Sequence, residues 1–226
     1  MKRRDFSAQL GLGALAVGVA GLGASGQARA QGGFVEGQQY IRLGAPLPTP
    51  AGKIEVVEFF WYGCPHCFSF EPVIGSWAQH LAPDVSLRRV HVAFRENLKV
   101  HQRTFFALEA LGRETELRPR IFNQIHREHD YLDSEESMTA FLAKQGLDPV
   151  KFKEAYNSFG VANKCTQADK LSEDYHIDGV PSLGIGGRFL TSPAKASGMA
   201  RISEQEMGVR ALAVADYLIQ RVRKGV

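Results

Sequence analysis

The sequence predicts an α/β fold in which a mixed sheet flanked by helices is interrupted by an inserted all-helical subdomain. Three observations support this fold class. Residues 54–61 and 85–92 have the patterns of two strands, with a helix between them. Residues 97–177 then contain helix after helix and no convincing strand, and residues 178–226 return to two strands and a final helix. The predicted order is therefore βαβ, a helical block, and ββα.

The first two predicted strands differ in pattern. Residues 54–61 form a short, nearly continuous apolar run, which is typical of a strand buried on both faces. A helix-like spacing of apolar residues then begins at Pro65 and ends before Pro83. Residues 85–92 alternate between apolar and polar side chains, as a second strand does. Residues 31–53 are rich in Gly and Pro without a sustained period, and so we expect an irregular approach segment there.

Capping signals divide the helical block into separate helices. The signals are a helix from Gln102 to Leu111 closed by Gly112, a segment opened by Pro119, a helix capped by Ser134 that stops at Gly146, and a helix opened by Asp148-Pro149 whose end is marked by Gly160. Each signal is local, and so the block is expected to be helical throughout.

The last part of the chain has the pattern of a hairpin and a helix. Residues 182–185 and 188–191 read as strands, and the Gly186-Gly187 pair between them predicts a two-residue turn. Ser203 with Glu206 three residues later makes a capping box, which predicts that the final helix begins there and runs through Val222.

Residues 1–30 have the layout of a cleaved export signal. A basic Lys2-Arg3-Arg4 run precedes an uncharged stretch from Phe6 to Ala28, and the small residues of Ala28-Arg29-Ala30 predict cleavage before Gln31. The paired arginines resemble a twin-arginine signal. A retained membrane anchor is the alternative, although the stretch is dominated by Gly and Ala rather than by Leu, Ile and Phe.

The charge of the chain resides in this signal. The formal net charge is +3, and it falls to zero without residues 1–30, which hold four basic groups and one acidic group. A nucleic-acid-binding role therefore lacks electrostatic support, because phosphate binding needs a surplus of Lys and Arg. The remaining length suits one domain with an insertion, predicted as residues 31–96 and 178–226 around a helical insertion at 97–177.

The chain has three cysteines, too few for a disulfide scaffold. Cys64 and Cys67 lie one helical turn apart where the first strand meets a helix, and so Cys64 is expected at the helix N-terminus, where backbone N–H groups favour a thiolate. Cys67 is placed to attack a mixed disulfide formed at Cys64. A zinc site would need a second ligand pair, which the sequence does not contain, and a redox-silent pair is the other alternative.

A family resemblance extends over essentially all of residues 31–226. Glu58-Phe59-Phe60-Trp61-Tyr62-Gly63-Cys64-Pro65-His66-Cys67, the helical block, and Gly179-Val180-Pro181 followed by a hairpin and a last helix resemble the DsbA family of periplasmic dithiol oxidases. The resemblance implies a thioredoxin fold, a periplasmic monomer without cofactor or metal, and oxidation of cysteines in newly exported proteins. It also implies re-oxidation by a DsbB-like membrane protein that passes electrons to quinone.

The resemblance assigns roles within the Cys-Pro-His-Cys motif. Cys64 is the nucleophile and Cys67 the resolving thiol, and Pro65 and His66 complete the catalytic motif. His66 would stabilise the Cys64 thiolate, because an N–H or cationic ring favours the anionic, reduced state. From the residues alone, His66 could equally be an ordinary exposed histidine near a helix start.

Three residues outside the motif also receive roles from the resemblance. A cis Val180-Pro181 bond would leave the Val180 backbone free to pair with an extended substrate beside the sulfurs. A trans turn proline is the ordinary alternative. Glu58 would be a proton relay beneath the dithiol, whereas an edge or end position that reaches solvent is its alternative.

Three further candidates receive no catalytic role. Cys165 shares a helical face with Val161, Ala168 and Ser172 and is expected to be a buried, unpaired thiol, with a regulatory or intermolecular bridge as the alternative. His126 and His129 could bind a metal, but a solvated helix end is the simpler interpretation.

Two other functions compete with the oxidase. A disulfide isomerase or reductase would need a dimerisation domain before the first strand, and we expect no room for one between Ala30 and Ile54. A periplasmic chaperone-like binding module would keep the fold but hold unfolded chains through an apolar surface.

Overall fold

Five strands pair into one mixed sheet in the computed structural model, which describes residues 33–226 of the chain. The strands are β1 (Ile41–Arg42), β2 (Ile54–Phe60), β3 (Val85–His91), β4 (Ser182–Ile185) and β5 (Phe189–Thr191). They lie in the order β1-β5-β4-β2-β3, with β2 parallel to β3 and antiparallel to β4. The export signal predicted for residues 1–30, with its cleavage before Gln31, lies outside the described residues.

Helices flank this sheet and also pack on one another. They are α1 (Pro65–Ala78), α2 (Lys99–Ala110), α3 (Glu114–His126), α4 (Glu135–Lys144), α5 (Pro149–Tyr156), α6 (Phe159–Asp174), α7 (Pro193–Ser197) and α8 (Glu204–Arg223), with a short 3₁₀ helix at Glu96–Leu98. Helices α2 to α6 follow one another between β3 and β4, which confirms the predicted mixed sheet interrupted by a helical block. Residues 34–226 form one compact unit, and so the boundaries at 96/97 and 177/178 stay a prediction. Within residues 33–226, no helix is both long and apolar enough to cross a membrane.

Strand β2 is the buried centre of the sheet, as its apolar run predicts. Every residue from Glu55 to Phe60 is buried, because β3 and β4 cover its two edges and helices cover both faces. Successive side chains point to opposite faces of the sheet. Val57 and Phe59 belong to the core shared with the helical block, and Val56 belongs to the core shared with α1 and α8. The strand therefore holds the start of α1 between two packed layers.

The capping predictions are largely confirmed. The Ser134 side chain accepts a hydrogen bond from the Ser137 N–H at the start of α4, and Asp148 accepts from two backbone N–H groups at the start of α5. Ser203 and Glu206 form the predicted capping box of α8. Each of these contacts joins residues at most three positions apart, which is why the sequence reveals them.

Two of the three glycines expected to end helices do so. Gly112 and Gly146 have φ angles of 67° and 82° and follow the ends of α2 and α4, as expected. The prediction for Gly160 is wrong, because α5 ends at Tyr156 and Gly160 lies in the first turn of α6, which Ser158 caps. A glycine favours a helix end where it adopts a positive φ, and Gly160 does not.

Three other boundaries differ from the prediction. Pro119 lies inside α3, which begins at Glu114, whose carboxylate suits a helix N-terminus. In the hairpin, Ile185 pairs with Phe189, and so three residues rather than two separate the strands. Strand β1 lies in the segment expected to be irregular, because two residues are too few to show a period.

Candidate active site

A tight turn delivers Cys64 from the end of β2 to the start of α1. The Cys64 N–H donates to the Trp61 carbonyl over 3.0 Å, and Cys64 is the N-cap residue of α1. Pro65 occupies the first helical turn, where its missing N–H costs nothing and its fixed φ suits the helix. The sulfur of Cys64 therefore lies at the N-terminus of α1, as the spacing predicts.

The pKa values of the two thiols are shifted in opposite directions. Cys64 is 6% exposed and Cys67 is 1% exposed, and both are free thiols. A hydrogen bond from the Cys67 thiol is the main cause that lowers the pKa of Cys64 to about 6, although burial acts to raise it. The backbone N–H groups of Cys67 and His66 and the charge of His66 lower the pKa further. Burial, and then the hydrogen bond to Cys64, raises the pKa of Cys67 well above its ordinary value. The arrangement supplies one thiolate near neutral pH, at Cys64.

His66 has a partner that the sequence did not reveal. Its side chain is 62% exposed, and its Nδ1 lies 2.8 Å from Oε1 of Glu204, at the start of α8. Since a carboxylate only accepts, the Nδ1–H of His66 donates this bond. The two residues are 138 positions apart, and so no local pattern could have paired them.

Val180 and Pro181 lie beside the sulfur of Cys64. The Val180–Pro181 peptide bond is cis, as the resemblance implies. The Cys64 thiol donates to the Val180 carbonyl over 3.4 Å. The structure thus brings the segment between α6 and β4 to the redox motif.

Glu58 is buried in the middle of β2, with 1% of its surface exposed. The alternative of a position that reaches solvent is therefore wrong. Burial raises the pKa of Glu58 to about 7, although the charge of Arg89 opposes the shift. The carboxyl group changes protonation state near neutral pH, as a proton relay requires.

Comparison with known proteins identifies the family. A family model described as the DSBA-like thioredoxin domain matches residues 76–204, more than half of the chain. The chain belongs to this family. It is a thiol–disulfide oxidoreductase with a thioredoxin fold.

Individual DsbA proteins match over most of their length. Thiol:disulfide interchange protein DsbA of Burkholderia cepacia is 42% identical over 178 residues, which are 79% of this chain and 80% of that protein. The protein of the same name from Azotobacter vinelandii is 39% identical over 215 residues, 94% and 96% of the two chains. The crystal structure of Pseudomonas aeruginosa DsbA superposes with a TM-score of 0.78 at 38% identity, and covers 85% of this chain and 96% of that one.

In this DsbA-family chain, further ionisable residues surround Glu58. Arg89 Nη2 lies 3.7 Å from Oε1 of Glu71, and Arg118 Nε donates to the same oxygen over 2.8 Å. Arg118 also donates to Glu114. Sequence reasoning missed this network. Its one local signal is that Glu71 follows Cys67 by four positions and therefore shares its face of α1.

Cys165 is a buried thiol in α6, 8% exposed, on the face predicted for it with Val161, Ala168 and Ser172. Burial raises its pKa to about 11. It lies in the helical block, whereas Cys64 and Cys67 belong to the N-terminal end of α1.

The two histidines at and just after the end of α3 differ. His129 is exposed, as expected of a solvated helix end, but the same interpretation is wrong for His126. The Nε2–H of His126 donates to the Tyr62 carbonyl over 2.8 Å. Within residues 33–226, His, Cys, Asp and Glu side chains form no group of three or more that could hold a metal ion.

Proposed function

We propose that this protein is a dithiol oxidase that donates a Cys64–Cys67 disulfide to newly exported proteins through a mixed disulfide at Cys64. The opposite pKa shifts of the two thiols support this proposal most strongly. The lowered pKa of Cys64 makes it a good leaving group when the client resolves the mixed disulfide, and the raised pKa of Cys67 keeps that sulfur protonated after reduction. Stabilisation of the reduced protein in this way favours transfer of the disulfide to the client.

The reaction consists of two thiol–disulfide exchanges. A client thiolate attacks the sulfur of Cys64, the Cys64–Cys67 bond breaks, and Cys67 leaves and takes up a proton. A second client thiolate then attacks the client sulfur of the mixed disulfide, and Cys64 leaves as a thiolate. Two electrons pass from the client to the protein, and the client gains one disulfide. In the reverse direction, Cys67 attacks Cys64 and releases the client.

The neighbouring residues serve the same chemistry. His66 stabilises the thiolate of Cys64 by its charge, and Pro65 shapes the first turn of α1. The backbone of Val180 and Pro181 binds the client as an added strand, which places its cysteine beside the sulfur of Cys64.

Glu58 acts as the proton relay for Cys67. Its pKa of about 7 lets it accept or release a proton near neutral pH, and its charge is among the causes that raise the pKa of Cys67. When Cys67 leaves as a thiolate, the protonated Glu58 carboxyl supplies the missing proton. When Cys67 attacks, the Glu58 carboxylate takes that proton back.

The protein acts in the periplasm as a monomer, after cleavage of the signal at residues 1–30. Reduced clients are partly folded exported proteins, and a DsbB-like membrane oxidase restores the disulfide and passes the electrons to quinone. The resemblance of the motif and the name shared by the relatives, thiol:disulfide interchange protein, support this assignment.

Equilibration of the Cys64–Cys67 pair with glutathione, together with unfolding of both redox forms, tests the direction of electron flow. An oxidase requires the reduced form to be the more stable one, and a more stable disulfide form would overturn the proposal.

Trapping of mixed disulfides in cells tests the mechanism. The Cys67→Ala variant should accumulate mixed disulfides through Cys64, and the double variant lacking both cysteines should not. A chaperone-like module would give none with either variant.

A further inference from the structure

Three histidines from three different elements hold Tyr62 and Trp61, which lie two and three residues before Cys64. The Tyr62 N–H donates to Nε2 of His91, in β3, over 3.2 Å. The Tyr62 carbonyl accepts from Nε2 of His126, at the end of α3, over 2.8 Å. The Trp61 indole N–H donates to Nδ1 of His101, in α2, over 3.0 Å. Both polar groups of the Tyr62 backbone and the indole of Trp61 are thus bound by imidazole rings.

The hydrogen-bond roles determine where each ring carries its proton. His91 accepts at Nε2, and so its hydrogen is on Nδ1. His101 accepts at Nδ1 and donates from Nε2 to the carbonyls of Tyr131 and Leu132, over 2.9 and 3.2 Å. Both rings must therefore be neutral. Burial agrees with this, because it lowers the pKa of His91 well below its ordinary value and also lowers the pKa of His101.

His126 connects the turn to α1 as well as to the helical block. Its ring stacks on Phe68 with 4.9 Å between ring centroids and an angle of 11° between planes. The Phe68 N–H in turn donates to the Cys64 carbonyl over 3.0 Å. His126 therefore contacts Tyr62 with one ring atom and Phe68, in the first turn of α1, with its face.

We propose that His126 is a positioning residue of the redox site, which, together with His91 and His101, holds the turn Trp61–Cys64 against the N-terminus of α1. This inference rests on the proposed function of the Cys64–Cys67 pair. The backbone N–H groups that stabilise the Cys64 thiolate work only while the sulfur stays at the helix end. Because that thiolate exists only in the reduced protein, a shift of the turn destabilises the reduced form more than the disulfide.

Two substitutions of His126 separate its two contacts. His126→Phe keeps an aromatic ring on Phe68 but removes the donor to Tyr62, and His126→Gln keeps a donor but removes the ring. His129→Gln, in the exposed segment after α3, is the matched control. For each protein, the readouts are the pH midpoint of Cys64 alkylation, the equilibrium constant with glutathione, and the thermal unfolding of both redox forms.

His126→Phe should shift the glutathione equilibrium about threefold toward the protein disulfide, as loss of one hydrogen bond predicts, and should raise the pH midpoint of alkylation. His126→Gln and His129→Gln should stay close to the wild type. Equal loss of stability in both redox forms of His126→Phe, with an unchanged equilibrium constant, would overturn the proposal and leave His126 a purely structural role.

A second variant decides the matter if His126→Phe does not fold. Trp61→Phe removes the indole N–H that binds His101, and should shift the same two readouts in the same direction by a smaller factor. An unchanged equilibrium constant in that variant would overturn the proposal. Failure of the oxidase function itself would look different, because the disulfide form of the wild type would then be more stable than its reduced form. In that case the pH midpoints of Cys64 alkylation in the wild type and the variants would still test whether His126 positions the thiolate.

Discussion

Glu58 and Arg89 lie directly opposite each other in the parallel pair of β2 and β3, and Oε2 of Glu58 is 2.9 Å from Nε of Arg89. The atoms are close enough for an ion pair, although their alignment is not that of a hydrogen bond. Arg89 therefore offsets the burial of the carboxylate only in part. This incomplete compensation leaves the pKa of Glu58 at about 7 instead of at its ordinary value.

The pH dependence of stability tests this state of Glu58. A raised pKa in the folded protein means that ionisation of Glu58 opposes folding, and so the penalty is absent below the ordinary value of 4.5 and complete above about 7. Between about pH 5 and pH 8, the wild type should lose on the order of 2 kcal/mol more stability than Glu58→Gln does. Urea unfolding of the oxidised proteins at several pH values measures this. Parallel pH profiles would contradict the assignment.

Cys64 should react as a thiolate well below neutral pH. Alkylation of the reduced protein should reach half of its plateau rate at about pH 6, because the Cys67 thiol and nearby backbone N–H groups stabilise the anion. Cys67→Ala removes the largest of these causes, and should move the midpoint upward. A wild-type midpoint near the ordinary value of 9.0 would be inconsistent with the site geometry.

The same shift has a thermodynamic counterpart. A lowered pKa of Cys64 stabilises the folded, reduced protein, fully so at pH values above the ordinary thiol pKa of 9.0. This stabilisation is lost as the pH falls through about 6. The difference in unfolding temperature between reduced and oxidised protein should therefore shrink on acidification. The disulfide form provides the internal control, because it has no Cys64 thiol to titrate.

Cys165 should take no part in the chemistry. Burial raises its pKa to about 11, and so it should remain unmodified by a thiol reagent at neutral pH until the protein unfolds. Cys165→Ala should leave the glutathione equilibrium of Cys64 and Cys67 unchanged. Counting reactive thiols in native and unfolded oxidised protein checks this. Rapid modification of the native oxidised protein would show that Cys165 is accessible after all.

Gly184 makes close contact between β4 and the end of α6. A Cβ atom at this position would lie 2.3 Å from Cε1 of Tyr175, a buried ring that also packs on Phe59. Gly184→Ala should therefore destabilise the protein by about 1–3 kcal/mol. Gly75→Ala, inside α1 with nothing within 4 Å of the new atom, is the matched control and should be neutral or stabilising by about 0.5–1 kcal/mol. Equal unfolding midpoints for the two variants would refute the close contact.

Local hydrogen bonds explain which features could be predicted. Ser134, Asp148 and Ser203 cap helices through partners two or three residues away, and the position of Cys64 follows from a strand that ends just before Pro65. Such contacts form between neighbours whatever the rest of the fold does. Gly160 shows the limit, because whether a glycine ends a helix depends on the backbone angle that it adopts.

Local patterns of residues are enough to predict the mixed sheet with its helical block, the placement of Cys64 at a helix N-terminus, and the burial of Cys165. In contrast, the contacts of Glu204 with His66, of Arg89 with Glu58, and of His126 with Tyr62 are visible only in the folded protein. The paired residues are between 31 and 138 positions apart, and so their contacts depend on how helices and strands pack. Packing also sets the burial that moves the pKa of a carboxyl or thiol group, which no local pattern contains.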